Sequence, residues 1–94
     1  MKMPGNNGPY RIEYAPNVEK EEIPALPKTV RAVIKKAIEE RLVLDPVRFG
    51  KPLRYSLKGL RRLRVGDYRI VYRVNLLDNV VVIVMIKHRK DVYE

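Results

Sequence analysis

Apolar positions change period along this chain. In "YRIEYA", Tyr10, Ile12 and Tyr14 alternate with Arg11 and Glu13, the period of a strand with one face buried. Between Asn17 and Pro46 the period becomes helical. Val30, Val33, Ile34, Ala37, Ile38 and Leu42 fall on one face of a helix, with Lys28, Arg31, Lys35 and Glu39 on the other. Asn17 is placed to cap a shorter preceding helix, with Glu19, Glu21 and Glu22 near its positive end. Pro24 and Pro27 separate the two helices, and Asp45–Pro46 closes the second. "VRFGKPLRYSLKGL" has no period and reads as a loop anchored by Leu53 and Leu57.

Alternation returns in "GLRRLRVGDYRIVYRV". A two-residue turn at Gly66–Asp67 pairs Val65 with Tyr68, Arg64 with Arg69, and Leu63 with Ile70. Leu63, Val65, Tyr68, Ile70 and Tyr72 then share one face, and Arg62, Arg64, Arg69 and Arg73 the other. After a turn at Asp78–Asn79, the nearly unbroken apolar run Val80–Ile86 reads as a central strand. The expected fold is α+β: an N-terminal strand and an α-helical hairpin on a mostly antiparallel twisted sheet of about four strands. Residues 1–9, rich in Gly, Pro and Asn, read as a loose tail, and 10–94 as one domain.

Charge sharpens this picture. Residues 1–47 hold eight Lys/Arg and seven Asp/Glu, a net of +1; residues 48–94 hold twelve and four, a net of +8. A basic half on a small domain fits a polyanionic partner. The absence of cysteine rules out a disulfide framework or a thiolate metal site and fits a reducing, cytoplasmic setting. The opening "MKMPGNNGPY" has no apolar core of a signal peptide, and Val80–Ile86 is too short to span a bilayer, so no membrane role is expected.

The inventory for chemistry is narrow. There is one histidine, His88, and one serine, Ser56, in a loop. The basic half offers no cluster of metal ligands, so no metal and no cofactor are expected. Arg, Lys, Tyr and one His suit phosphate chemistry in which the RNA 2′-OH is the nucleophile. The protein then has to stabilise the phosphorane and move two protons.

From Tyr10 to Glu94 the chain resembles the RelE/ParE superfamily of toxins from toxin–antitoxin systems. "LKGLRRLRVGDYRIVY" and the closing "HRKDVY" are its most specific parts, and the ending is more similar to the RelE branch. That resemblance implies a ribosome-dependent mRNA endoribonuclease acting in the ribosomal A site, held in check by an acidic RelB-like antitoxin protein. It also implies site residues. Arg62, with Arg64 on its face, stands where members carry a basic residue before the hairpin turn. Arg69 is the arginine after the turn, and Arg89, or Lys87 in an ungapped match, the basic residue after the last core strand. Tyr93 is the closing tyrosine. Some members carry a lysine two residues before Arg62; here that position is Leu60, so the general base does not carry over. Catalytic roles are therefore expected of Arg62, Arg64, Arg69, Arg89 and Tyr93. RNA contacts, with mRNA or ribosomal RNA, are expected of Arg48, Lys51, Arg54, Lys58, Arg61, Arg73, Lys87, His88 and Lys90. Two alternatives stay open: a ParE-like inhibitor of DNA gyrase without nuclease activity, and a homologue that binds RNA without cutting it.

Overall fold

A computed structural model describes residues 9–91. Its sheet has five strands: β1 (Arg11–Tyr14), β2 (Lys51–Pro52), β3 (Arg61–Val65), β4 (Tyr68–Asn75) and β5 (Val80–His88), in the spatial order β1-β5-β4-β3-β2. The β1–β5 pair is parallel and the other three are antiparallel. The mostly antiparallel α+β architecture expected from the periods is the one observed. The fifth strand, β2, is two residues long and lies in the stretch read as loop.

The hairpin β3–β4 has the register set by a turn at Gly66–Asp67: Val65 faces Tyr68, Arg64 faces Arg69 and Leu63 faces Ile70. Gly66 takes φ 57°. A positive φ at the first of two turn residues matches the right-handed twist of the strands, and glycine adopts it without strain. Leu63, Val65, Ile70 and Tyr72 are buried against the helices.

The β4–β5 ladder is less regular. Val71 faces Met85 but Tyr72 faces Ile83, so Val84 is an extra residue on β5. The bulge reverses the alternation. Ile83 and Ile86, three apart, both enter the core cluster, which a regular strand would not allow. Beyond the bulge, Lys87 faces Arg69 and His88 faces Tyr68.

The helical layer differs from expectation in three places. Asn17 has helical φ and ψ and makes no capping hydrogen bond. Its side chain donates instead to Glu22 and to the Val84 carbonyl, so the π-wound segment Val18–Glu22 is docked on the edge of β5. The main helix α1 (Lys28–Ala37) continues as π-wound Ile38–Leu42. Ile34, Ala37, Ile38 and Leu42 are buried and Val30 half-buried, but Val33 is 57% exposed, so the apolar stripe is narrower than its sequence period. Asp45–Pro46 opens a helix: the Asp45 carboxylate accepts from the Arg48 N–H at 3.1 Å and starts α2 (Pro46–Phe49). Proline at the first helical position has no N–H to leave unsatisfied.

α2 is bolted to the sheet from its first residue to its last turn. The Tyr72 hydroxyl donates to the Pro46 carbonyl at 2.6 Å, and Arg61 Nη2 donates to the carbonyls of Val47 (2.6 Å) and Gly50 (2.8 Å). A Cβ on Gly50 would lie 1.7 Å from the Tyr72 hydroxyl oxygen and 2.7 Å from Cζ. Tyr72→Phe, which leaves a buried carbonyl unpaired, is expected to cost about 1–3 kcal/mol in urea unfolding. Gly50→Ala should cost more, and adding Tyr72→Phe should not restore it because the ring carbon still clashes. Burial raises the Tyr72 phenol above its ordinary 10.0, with nearby Arg61 partly opposing; burial likewise raises Tyr10 and Tyr14. The fold thus favours neutral phenols, whose contribution is complete below pH 10.0 and is lost as pH rises through the raised values. The urea midpoint should fall on that side, and less steeply in Tyr72→Phe.

A candidate anion-binding face

The sheet has two faces of opposite character, a direct result of strand alternation. Toward the helices lie the buried residues of the core. On the outer face the registers place Arg64, Arg69 and Lys87 directly opposite one another across β3, β4 and β5. Side chains directly opposite have Cβ atoms about 4.5–5.5 Å apart, so this is a continuous row of three cations. A second row joins Lys51, Arg62, Val71 and Met85. Val71 is fully buried although outside the main core cluster, which gives the outer face an apolar floor at its centre. Arg73, opposite Val82, continues the same face away from the hairpin turn.

Among the described residues, the carboxylates of Asp67 and Glu22 limit this positive field. The Arg89 N–H donates to the Asp67 carbonyl at 2.7 Å, and its Nε lies 3.6 Å from Asp67 Oδ1. The contact extends the β4–β5 ladder and holds Arg89, with its side chain 65% exposed, beside the row. Such a pair contributes little to stability and is easily exchanged. Glu22 is more deeply set, its side chain 15% exposed. Its Oε1 accepts from the Ile86 N–H at 2.6 Å and its Oε2 lies 3.4 Å from Lys87 Nζ. β1 pairs with β5 only as far as Ile83, so Glu22 and Asn17 satisfy the strand edge that β1 leaves open. Nothing in the sequence linked Glu22 to Lys87; in "EKEEI" it is one of three acids that read as a helix start.

Arg62, Arg64, Arg69, Arg73 and Lys87 therefore share one face, Lys51 joins it on β2, and Arg89 flanks it. Two of the expected RNA contacts point elsewhere. Arg61 is on the core side, half-buried, with its guanidinium on the carbonyls that end α2; alternation puts it opposite Tyr72, not among the outer arginines. His88 is also on the helix side. Its ring meets Tyr68 edge to face, centroids 5.1 Å apart, and its Nδ1 accepts from the Lys90 N–H at 3.1 Å. Arg48 is exposed on α2, with its guanidinium 5.9 Å from the centre of the Phe49 ring. Arg54 and Lys58 are exposed in the loop around Tyr55–Leu57, and Lys90 is exposed past the end of β5. Tyr93 and residues 1–8 of the expected tail lie outside the described residues.

Chemically, a row of two guanidiniums and an ammonium with fixed strand spacing is suited to a chain of phosphates, since each guanidinium offers paired N–H donors and the ammonium a compact positive charge. Among the described residues no three His, Cys, Asp or Glu side chains gather as metal ligands. No helix among them is long and apolar enough to cross a membrane.

Known proteins resemble this chain in sequence and in fold. Residues 12–93 match the family described as ParE toxin of type II toxin-antitoxin system, parDE. Toxin RelG of Mycobacterium tuberculosis is 34% identical over 85 residues, 90% of this chain and 97% of that protein. Toxin RelE of the same organism is 34% identical over 67 residues, covering 71% of this chain and 68% of its own length. Among solved structures, a chain of the M. tuberculosis RelBE2 toxin–antitoxin complex superposes with a TM-score of 0.81 at 32% identity, over 90% of this chain and 97% of that one. A chain of the archaeal RelE–RelB complex of Pyrococcus horikoshii does so with a TM-score of 0.68 at 30% identity, over 89% and 99%.

The Glu22–Lys87 pair generates a prediction. Glu22→Gln keeps an acceptor for the Ile86 N–H and releases Lys87. The log–log salt slope for a single-stranded oligonucleotide should steepen by about 0.7, one additional phosphate contact, with stability within about 1 kcal/mol of wild type. Glu22→Ala should steepen the slope equally while destabilising by about 1–3 kcal/mol, because the strand-edge N–H loses its partner.

Proposed function

Since the chain belongs to the RelE/ParE superfamily of type II toxin–antitoxin toxins, with relatives chiefly on the RelE side, we propose that it is a ribosome-dependent mRNA endoribonuclease. It cuts in the ribosomal A site, with no metal, by attack of a 2′-OH on the adjacent phosphate, leaving a 2′,3′-cyclic phosphate and a 5′-OH. The observation that carries this reading is the cationic row Arg64–Arg69–Lys87, with Arg62 beside it and Arg89 at its flank.

In this mechanism Arg69 and Arg89 clamp the scissile phosphate, Arg89 exchanging its exposed contact with Asp67 for the substrate. Arg62 and Arg64 orient the RNA and stabilise the charge that builds on the phosphorane, where a preorganised donor is worth about a hundredfold to a thousandfold in rate. Tyr93 stacks on a base or protonates the leaving 5′ oxygen. Lys51, with Arg48, Arg54 and Lys58 in the neighbouring loop, holds ribosomal RNA. Arginine holds its proton too tightly to be a good proton carrier, and Leu60 stands where some members have a lysine. The ribosome makes up the deficit by holding the codon with its 2′-OH in line, since orientation alone supplies about 7–11 kcal/mol. An acidic RelB-like antitoxin neutralises the same face; relatives solved as RelB–RelE complexes support this partner.

The test is primer extension on one mRNA, naked and in a stalled ribosome with an empty A site, with chemical mapping of the ends. Cutting only on the ribosome, with cyclic phosphate ends and at least a hundredfold slower in a folded Arg69→Ala variant, is the expected result. Equal cutting of naked RNA would overturn the division of labour, and 5′-phosphate with 3′-OH ends would overturn 2′-OH attack. A second reading has one observation behind it, the match to a ParE family model. Inhibition of DNA gyrase supercoiling by purified protein, without RNA cleavage, would establish that reading instead.

A further inference from the structure

A cleft of about 390 Å³ opens where β2 stops pairing with β3. It lies between the end of the π-wound helix, α2 and the edge of β3, and its lining is Arg41, Phe49, Lys51, Arg62, Leu63 and Arg64. Among these described lining residues four are cations and none is an acid. The carboxylates nearest in sequence are occupied elsewhere: Glu40 faces Lys36 at 4.0 Å, Glu39 acts on Tyr14, and Asp45 caps α2. Phe49, the aromatic among the described lining residues, is 44% exposed, with the Arg48 guanidinium 5.9 Å from its ring centre, so its face already serves as a platform for a planar cation.

We propose that this cleft is a second nucleotide subsite, holding a phosphodiester against Arg41 and a base against Phe49. The proposal rests on the RNA reading above and extends it to a nucleotide outside the scissile step. Three features carry it. Its volume falls at the small end of ligand sites. Cations with an exposed aromatic are the pairing that single-stranded nucleic acid needs, one for backbone and one for base. The cleft is also continuous with the outer face, because Arg62 and Arg64 line both, while Leu63 at its floor belongs to the core. An RNA strand lying along the cationic row would therefore meet the cleft without turning back. Arg41 and Phe49 were invisible as site residues in the sequence, one following two glutamates on a solvated helix face and the other in an aperiodic stretch.

Binding of a single-stranded octaribonucleotide, read by anisotropy as a function of salt, separates the two contributions. Phe49→Ala should weaken binding at least fivefold with the salt slope unchanged, and Phe49→Tyr should restore it. Arg41→Ala should flatten the slope by about 0.7. Lys20→Ala, on the Val18–Glu22 segment at the far edge of the sheet, should bind as wild type. Thermal melts establish that each variant is folded. If Phe49→Ala and Arg41→Ala both bind RNA like wild type, there is no subsite here. If they lose affinity only for an acidic protein partner, the cleft belongs to that partner and the proposal fails. Failure of the cleavage reading is separate. Variants that lose RNA binding in a protein that never cuts mRNA on the ribosome would leave the cleft standing alone. Unaffected variants of a protein that does cut would remove the cleft and keep the nuclease.

Discussion

The organising constraint is the pairing of Arg64 with Arg69. The hairpin must bury Leu63, Val65, Ile70 and Tyr72, and with a period of two that register puts the arginines between them opposite one another on the other face. A one-residue slip would relieve the repulsion only by turning the apolar set outward. Burial of each such side chain is worth about 1.5–3 kcal/mol, against a few tenths to about 1 kcal/mol for a like-charge pair. The core wins, and the charged face is carried along at a modest cost that a bound anion would reverse.

The bulge at Val84 extends this face to a third strand. Strict alternation from Val81 and Ile83 would send residue 87 inward and residue 88 outward. The extra residue reverses both, so Lys87 completes the row with Arg69 and His88 packs on Tyr68. On the other side of β5, β1 ends at Tyr14 opposite Ile83, and beyond that point Asn17 and Glu22 serve the Val84 carbonyl and Ile86 N–H. Glu22 thus joins the stability of the edge to the charge of the row.

What could be read in the sequence follows from where periodicity carries information. The hairpin was legible residue by residue, because apolar and charged positions alternate strictly and the Gly-Asp turn fixes the phase. The apolar run Val80–Ile86 was legible as a central strand, but a run without alternation does not say which side chain faces where, so the bulge was hidden. Val33 has the right helical spacing, yet the sheet beneath the helix covers only part of that stripe. Asp45–Pro46 was read as a stop, although the same pair serves equally as cap and first residue of a new helix. Of the candidate site, the outer arginines were visible through alternation. Arg61 is named among the expected RNA contacts although the same alternation leaves it off the outer face, and the register puts it opposite Tyr72. Arg41, Phe49 and Glu22 come together only through tertiary contacts between segments far apart in the chain.

The central claim is that the Arg64–Arg69 juxtaposition is a strain of charge held in place by the core and relieved by a polyanion. Urea unfolding of wild type and Arg64→Gln at low and at about 1 M salt, with and without a single-stranded oligoribonucleotide, tests it directly. At low salt without RNA the variant should be more stable by a few tenths to about 1 kcal/mol. The difference should vanish at high salt, where the screening length falls to about 3 Å, and saturating oligoribonucleotide should stabilise wild type more than the variant. A variant less stable than wild type at low salt, or a difference indifferent to both salt and RNA, would contradict the account.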